Sequence, residues 1–174
     1  MISMESSKSQ DIVKNISKII LTNQQKMIRE EDLRNLSENF DFDQIINEVY
    51  MNLNNIGFEL IKTKFLEHNY YVLTAGGKDD NITPSQYGTL ALILALSREL
   101  DENVKRDDLK EIFSSVWDSD VKFLLENDYL REINVEGLDI VKITPLGKAT
   151  MKNIIQNVQL KNLLDIFKEG KSEL

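Results

Sequence analysis

The stretch IGFELIKTKFLEHNYYVLTAGGKDDNITPSQYG, residues 56–88, decides the fold that we predict for this chain. FELIKTKF and NYYVLT are rich in β-branched and aromatic residues that partly alternate with polar ones, which is typical of strands, and LEHN between them predicts a turn. AGGKDDN combines paired glycines with charge, which is typical of a linker. TPSQ predicts a new helix, with Thr83 as N-cap, Pro84 at the first helical position and Gln86 completing a capping box. One unit therefore ends at the hairpin, and a second begins near residue 83.

The residues before the hairpin predict a helix, a short strand and two more helices. Apolar residues recur every three or four positions between Gln10 and Leu21, as on one face of an amphipathic helix. KMI predicts a short strand, REEDLRNLSENF a second helix with acids near its start, and DFDQIINEVYMNLNNIG a third helix. Asp41 or Asp43 is suited to cap the third helix, and Gly57 to end it.

The same order of elements recurs after Thr83. The helix from Pro84 to about Leu100 is followed by NVK as a strand, and by RDDLKEIFSS and WDSDVKFLLENDY as helices. YLREINV and LDIVKIT predict a second hairpin, and Thr144 with Pro145 predicts the start of a last helix. A recurrence of element order after about 75 residues is typical of tandem small domains. Helix, strand, two helices and hairpin together form the winged-helix plan.

We therefore predict an α+β, mainly α fold made of two tandem winged-helix domains with an added C-terminal helix. The predicted organisation is a disordered tail at residues 1–9, a first domain at 10–76, a linker at 77–82 and a second domain with the C-terminal helix at 83–174.

The composition argues against catalysis. The 174 residues contain no cysteine and one histidine, so a disulfide, a thiolate metal site and a thiol nucleophile are excluded. His68 lies in the predicted turn without a second histidine, and no nucleophile elbow surrounds any serine, so neither a metal site nor a catalytic triad is expected. Gly76 and Gly77 are not followed by a phosphate-loop pattern. We expect no catalytic residues, no cofactor and no small-molecule substrate.

Neither a membrane nor a secretion signal is indicated. The longest apolar run, TLALILAL, is far shorter than the ~18 residues that would span a bilayer. MISMESSKSQ lacks the apolar core of a signal peptide. We therefore expect a cytoplasmic protein without a membrane partner.

The charge pattern argues against groove reading of DNA by the third helix of either unit. The chain has a formal net charge of −8. The first of these helices has no lysine or arginine and carries the acids Asp41, Asp43 and Glu48. The second carries Lys122 alone against the acids Asp118, Asp120, Glu126 and Asp128. Because phosphates repel acidic helices, DNA contact is expected to be weak or indirect.

The C-terminal segment contains the candidate binding residues. An apolar stripe at helical spacing either packs back on the core or binds a partner; its candidate partner-binding residues are Ile154, Ile155, Val158, Leu163, Leu164 and Phe167. Three lysines either line a solvated helix face or contact phosphate; these are Lys148, Lys152 and Lys161. The sequence leaves both pairs of alternatives open.

The layout and two motifs resemble the kite proteins, the kleisin-interacting subunits of SMC chromosome complexes. ITPSQYGTLALILALSRELDENVKRDDLKEIF is similar to the start of the second winged domain of ScpB. GFELIKTKFLEHNYYVLT is similar to the first wing of MAGE-type subunits, and SDVKFLLENDYLREINVEGLDIVKITPLGKATM follows the order of elements in those subunits. The resemblance covers residues 10–168.

Membership of this family would imply a homo- or heterodimer that clasps the kleisin and has no catalytic residues. It would also imply nucleoid association and a role in chromosome segregation and condensation. Two alternatives remain open. ITPLGKA at the end of a wing is also similar to many winged-helix transcription regulators, which bind DNA. A MAGE-like adapter that docks on a ubiquitin-ligase-type partner is the other alternative.

Overall fold

The computed structural model describes residues 2–37, 39–75 and 81–152, with side chains from residue 6 onward. The chain divides into two compact units, Met1–Lys78 and Asp79–Leu174, and this division falls within the segment predicted as a linker. Each unit combines helices with one small antiparallel sheet of three strands. The fold is therefore α+β, with more helix than strand.

The first unit runs helix, strand, helix, helix and hairpin. Its elements are α1 (Ile2–Thr22), β1 (Met27–Arg29), α2 (Glu30–Leu36), α3 (Phe42–Asn55), β2 (Glu59–Phe65) and β3 (His68–Thr74). The strand order is β1-β3-β2, so β3 lies in the middle and the hairpin supplies an outer strand. The hairpin turn is Leu66–Glu67, with φ angles of +46° and +64°. His68, which was predicted in the turn, instead begins β3, and Asn69 lies in this strand as NYYVLT predicted.

The N-terminal residues correct one prediction. Residues 1–9 were predicted to form a disordered tail, but α1 begins at Ile2. No glycine or proline interrupts residues 1–22. Because Val13 and Ile16 fix the later turns of α1 in the core, extending the helix backwards adds one hydrogen bond per residue without a new nucleation cost.

The core of the first unit is formed where α1 and α3 pack together. Their buried residues recur at helical spacing and are Val13, Ile16 and Ile20 of α1 and Ile45, Val49 and Leu53 of α3. Leu33 of α2, Phe42 of α3, Leu60 of β2 and Tyr71 of β3 belong to the same cluster. Asp41, one of the two predicted caps, begins α3 by accepting a hydrogen bond from the Asp43 N–H at 3.0 Å.

The second unit repeats the same order of elements. It contains α4 (Pro84–Glu99), β4 (Val104–Lys105), α5 (Arg106–Ile112), a third helical segment, β5 (Leu130–Val135), β6 (Leu138–Ile143) and α7 (Pro145–Thr150). Its strand order, β4-β6-β5, matches that of the first unit. The capping box of Thr83 and Gln86 is confirmed, with Pro84 as the first helical residue.

The third helical segment of this unit is not the regular helix that was predicted. It consists of a 3₁₀ turn (Ser114–Val116), a π turn (Trp117–Val121) and the short helix α6 (Lys122–Glu126). Asp120 lies in the π turn and is 4% exposed. Its carboxylate accepts hydrogen bonds from the hydroxyls of Ser85 at 2.7 Å and Thr89 at 2.8 Å, both on α4. These bonds fix the π turn against α4.

The strand registers make positions in the two sheets comparable. Tyr71 of β3 faces Lys62 of β2 on one side and β1 on the other. Val141 of β6 faces Glu132 of β5 on one side and β4 on the other. Lys62 of the first unit therefore corresponds in position to Glu132 of the second.

Helix α7 begins at a tight joint with the second hairpin. Thr144, the predicted cap, is fully buried, and its hydroxyl oxygen accepts a hydrogen bond from the Gly147 N–H at 3.1 Å. A Cβ at Gly147 would overlap the carbonyl oxygen of Tyr129 and the side chain of Ile143. The predicted continuation of this helix beyond Lys152 lies outside the described residues.

Candidate partner-binding surfaces

The structure describes only part of the candidate C-terminal site. Lys148 lies on α7, with its Nζ 3.1 Å from Oε1 of Glu102 and its side chain 23% exposed. Lys152 follows one turn later and is half-buried. Phosphate contact by these lysines stays a prediction, and the charge of Lys148 already faces a carboxylate. The remaining candidates lie outside the described residues; they are Ile154, Ile155, Val158, Lys161, Leu163, Leu164 and Phe167.

The exposed face of α3 carries acids, amides and apolar side chains. Asp43 is exposed, Glu48 is half-buried, and the helix contains no lysine or arginine. Three large apolar side chains on or directly after this helix are solvent-exposed; they are Tyr50 (38%), Met51 (52%) and Ile56 (62%). This surface can gain from burial against an apolar partner and has no cation of its own for a phosphate.

The acids of the third helical segment in the second unit are less exposed to a phosphate than was predicted. Asp120 was predicted among the acids that repel DNA, but its carboxylate is buried and bonded to α4. Asp118 pairs with Lys122 at 2.5 Å, and Asp128 pairs with Arg131 at 2.8 Å. Glu126 is exposed. Asp120 therefore does not face a phosphate, and Arg131 of the second hairpin offsets the charge of Asp128.

The cations of both hairpins lie close to oxygen atoms of this chain. In the first hairpin Nζ of Lys64 lies 3.0 Å from Oε2 of Glu67. In the second hairpin Nζ of Lys142 donates to the backbone carbonyl of Glu102 at 3.1 Å. These contacts reduce the positive charge that either hairpin offers to a phosphate backbone.

Glu30 anchors the start of α2 to the hairpin. Its carboxylate contacts Nζ of Lys62 at 2.5 Å and the guanidinium of Arg34 at 2.7 Å, while its side chain is only 11% exposed. The guanidinium of Arg34 lies 4.4 Å from the ring centre of Phe42. Burial raises the pKa of Glu30, but the hydrogen bonds from Lys62 and Arg34 outweigh burial and hold the pKa below its ordinary value.

The low pKa predicts how the stability of the first unit depends on pH. Because the pKa is lower in the folded chain, the contribution of Glu30 is present above its unfolded pKa and is lost as the pH falls through the folded pKa. We expect Glu30→Gln to lower the free energy of unfolding by about 1–2 kcal/mol at pH 7. Urea unfolding followed by circular dichroism at several pH values measures this difference, which should shrink below the ordinary pKa of 4.5. A difference that grows on acidification would contradict the assignment, and Glu31→Gln is the control.

The second unit has an ion pair at the same place with opposite polarity. Arg106 is the first residue of α5, as Glu30 is of α2, and its Nε lies 2.7 Å from Oε1 of Glu132 on β5. Since Glu132 corresponds to Lys62, helix and hairpin have exchanged charge signs between the units. The guanidinium of Arg106 also lies 5.9 Å from the ring centre of Trp117.

A groove of about 430 Å³ runs between α6 and β5 in the second unit. Trp117, Leu125 and Leu130 supply its apolar lining. Charged residues of both signs surround it; they are Arg106, Lys122, Arg131, Glu126, Asp128 and Glu132. A signal for the site was present, because Arg106 and Lys110 stand four residues apart on the predicted helix that precedes the only tryptophan.

Within residues 2–37, 39–75 and 81–152, no three histidine, cysteine or acidic residues form a group that could hold a metal ion. No helix in the described part of the chain is both long and apolar enough to cross a membrane.

Neither the protein-family models nor the curated proteins contain a match to this chain.

Proposed function

We propose that this chain is a non-enzymatic, kite-like subunit that dimerises and binds the kleisin of an SMC chromosome-organising complex. Its two units would be tandem winged-helix domains. The order helix, strand, helix, helix and hairpin, present twice, supports this assignment. So does the strand order, in which the hairpin's second strand lies between the short first strand and the hairpin's first strand in both units.

The observation that carries the proposal is the chemistry of the exposed face of α3. A winged domain that reads DNA usually places its third helix in the major groove and needs cations near the phosphates. Here that face offers Tyr50, Met51 and Ile56 to solvent, without a lysine or arginine on α3. Aromatic and methionine side chains are typical of the centre of protein interfaces. The face is therefore suited to a protein partner.

Co-expression with the kleisin encoded in the same genome tests the proposal. We expect the two chains to co-purify at fixed stoichiometry, and size-exclusion chromatography with light scattering to give this chain at twice its monomer mass. Met51→Asp should weaken the complex, because it places a charge at the centre of an apolar contact. Asn15→Asp is the matched control, since it adds the same charge at an exposed position of α1 and not on α3. A strict monomer without kleisin association would refute the proposal.

The second candidate function is a winged-helix regulator that binds DNA. It is favoured by the exposed amides Gln44 and Asn47 on α3, because amide side chains can pair with adenine in the major groove. Duplex binding measured by fluorescence anisotropy over a range of salt concentrations distinguishes the two. Binding with a steep salt slope that is lost in Gln44→Ala would favour the regulator.

A further inference from the structure

The second sheet has an apolar face whose use goes beyond kleisin binding by α3. In the hairpin of β5 and β6, Ile133 lies opposite Ile140, and Val135 lies opposite Leu138. Because successive side chains of a strand point to opposite faces, these four side chains share one face of the sheet. We call it the outer face of the second sheet.

The helices of this unit lie on the opposite face of the sheet. Glu132 on that face pairs with Arg106 of α5, and its cross-strand neighbour Val141 is 1% exposed. Towards the turn the same face is polar, because the side-chain amide of Asn134 donates to the carboxylate of Asp139 at 2.8 Å and both residues are exposed. A sheet with one face in water normally has its polar residues on the outer face. Near this turn the arrangement is reversed.

The outer face is only partly covered. Ile140 is 7% exposed and Ile133 is half-buried, so the middle of this face is shielded from solvent. Val135 is 42% and Leu138 is 53% exposed, although they directly continue the same apolar row. The end of the outer face nearest the turn therefore offers two large apolar side chains that can gain from burial.

The first hairpin differs at the corresponding positions. The strand registers place Phe65 and His68 where the second hairpin has Val135 and Leu138. Phe65 is 4% exposed, and its ring contacts the ring of Tyr70 with 6.3 Å between their centres. The first hairpin therefore has no exposed apolar pair at this place, and the second does.

The chain continues from a point close to the second sheet. α7 begins two residues after β6 ends at Ile143, and Met151, which follows the last residue of α7, is fully buried. The polypeptide is thus held against this unit until shortly before residues 153–174. As a helix these 22 residues would be about 33 Å long, whereas the six residues of β6 span about 20 Å. The segment is long enough to reach the turn of the hairpin.

The segment also has a matching apolar surface. Its apolar residues at helical spacing are Ile154, Ile155, Val158, Leu163, Leu164 and Phe167. A segment attached to the same unit is present at the outer face at an effective concentration in the millimolar range. A second copy or a partner protein has to compete with it from solution. The attachment therefore favours this segment over other apolar occupants.

We infer that the C-terminal segment, residues 153–174, docks with its apolar stripe on the outer face of the second sheet. It would cover Val135 and Leu138 near the turn and Ile133 further along the hairpin. The stripe then has its binding site within its own unit. This inference does not depend on kleisin binding by α3.

Engineered disulfides test the inference with the full chain, which contains no cysteine of its own. Leu138→Cys is combined in turn with Ile155→Cys, Val158→Cys and Leu163→Cys. We expect an intramolecular disulfide in at least one of the three after oxidation, because the bond forms only between Cβ atoms about 4 Å apart. Mass spectrometry of proteolytic peptides identifies it. Asp139→Cys with the same three partners is the matched control, since Asp139 is exposed on the opposite face of the same strand.

Two threonine substitutions measure the contribution of docking to stability. Leu138 and Ile112 are similarly exposed, at 53% and 58%, and both belong to the second unit. We expect Leu138→Thr to lower the midpoint of urea unfolding by about 0.5 M, because a docked segment loses an apolar contact. Threonine is well tolerated in strands, so the substitution itself costs little. Ile112→Thr should leave the midpoint unchanged, and Trp117 fluorescence follows both variants.

Four results would overturn the inference. One is the absence of an intramolecular disulfide in all three Leu138→Cys variants, and another is equally efficient formation with Asp139→Cys. Disulfides between chains would assign the outer face to a second copy. Equal midpoints for Leu138→Thr and Ile112→Thr would show that nothing covers Leu138. None of these results affects the kleisin complex tested through Met51→Asp, so the two proposals fail separately.

Discussion

Replacing Gly147 with alanine should lower the free energy of unfolding of the second unit by about 3 kcal/mol. The added methyl group would overlap the backbone carbonyl of Tyr129 and the side chain of Ile143. A backbone carbonyl cannot turn aside as a flexible side chain can, so α7 must shift away from the hairpin. Denaturant unfolding followed by Trp117 fluorescence reports this unit directly, since the tryptophan lies within it.

Gly137→Ala is the matched control for that experiment. Gly137 has a φ of +84° and open space around its Cβ position, so alanine there meets backbone strain but no clash. Its expected cost is about 1 kcal/mol. Alanine also has a higher helix propensity than glycine, by about 1 kcal/mol, and this gain offsets part of the stability loss expected for Gly147→Ala. A variant at Gly147 that is as stable as the wild type would show that α7 is not held at this joint.

Asp120→Ala is the second substitution with a large expected effect, a loss of about 3 kcal/mol from the second unit. The change removes two hydrogen bonds to a carboxylate and leaves the buried hydroxyl of Thr89 without its acceptor. It should also change the fluorescence of Trp117, because the π turn that begins at Trp117 loses its attachment to α4. The same denaturant titration measures both effects.

Replacing Asp120, Ser85 and Thr89 together by apolar residues shows whether the stability loss in Asp120→Ala comes from unpaired polar groups or from a cavity. The triple variant Asp120→Val, Ser85→Ala and Thr89→Val removes donors and acceptor together, and replacement of a buried polar cluster by apolar groups is often neutral or stabilising. The regular helix α3 has Val49, fully buried, four residues before Leu53, as Asp120 is before Leu124. A triple variant as unstable as Asp120→Ala would mean that the loss comes from a cavity and not from unpaired polar groups.

The order of elements was predictable because its signals are local. The capping box of Thr83 and Gln86 and the cap at Thr144 depend on residues three positions apart, and both are confirmed. The two hairpins follow from alternation within single strands. The tail at residues 1–9 was wrong because its polar composition was given more weight than the absence of any helix-breaking residue.

The surface chemistry was much harder to predict, because it depends on residues far apart in sequence. Asp120 in an amphipathic pattern resembles a solvent-exposed acid, and its partners on α4 lie more than 30 residues away. Lys62 lies on a strand of the first hairpin, and the carboxylate that contacts it belongs to Glu30, at the start of α2 and 32 residues earlier in the chain. The groove at Trp117 likewise requires α6 and β5 to lie side by side. Helical periodicity contains no information on any of these pairings.

The exchanged polarity of the two helix–hairpin ion pairs has a consequence for how this chain folds. Two similar units in one polypeptide invite misassembly, in which a hairpin docks on the helices of the wrong half. Such an exchange would bring Lys62 against Arg106, and Glu132 against Glu30. Both encounters join like charges, so each wrong arrangement is penalised while each correct one gains an attraction. The opposite charge signs therefore favour docking of each hairpin on the helices of its own unit during folding.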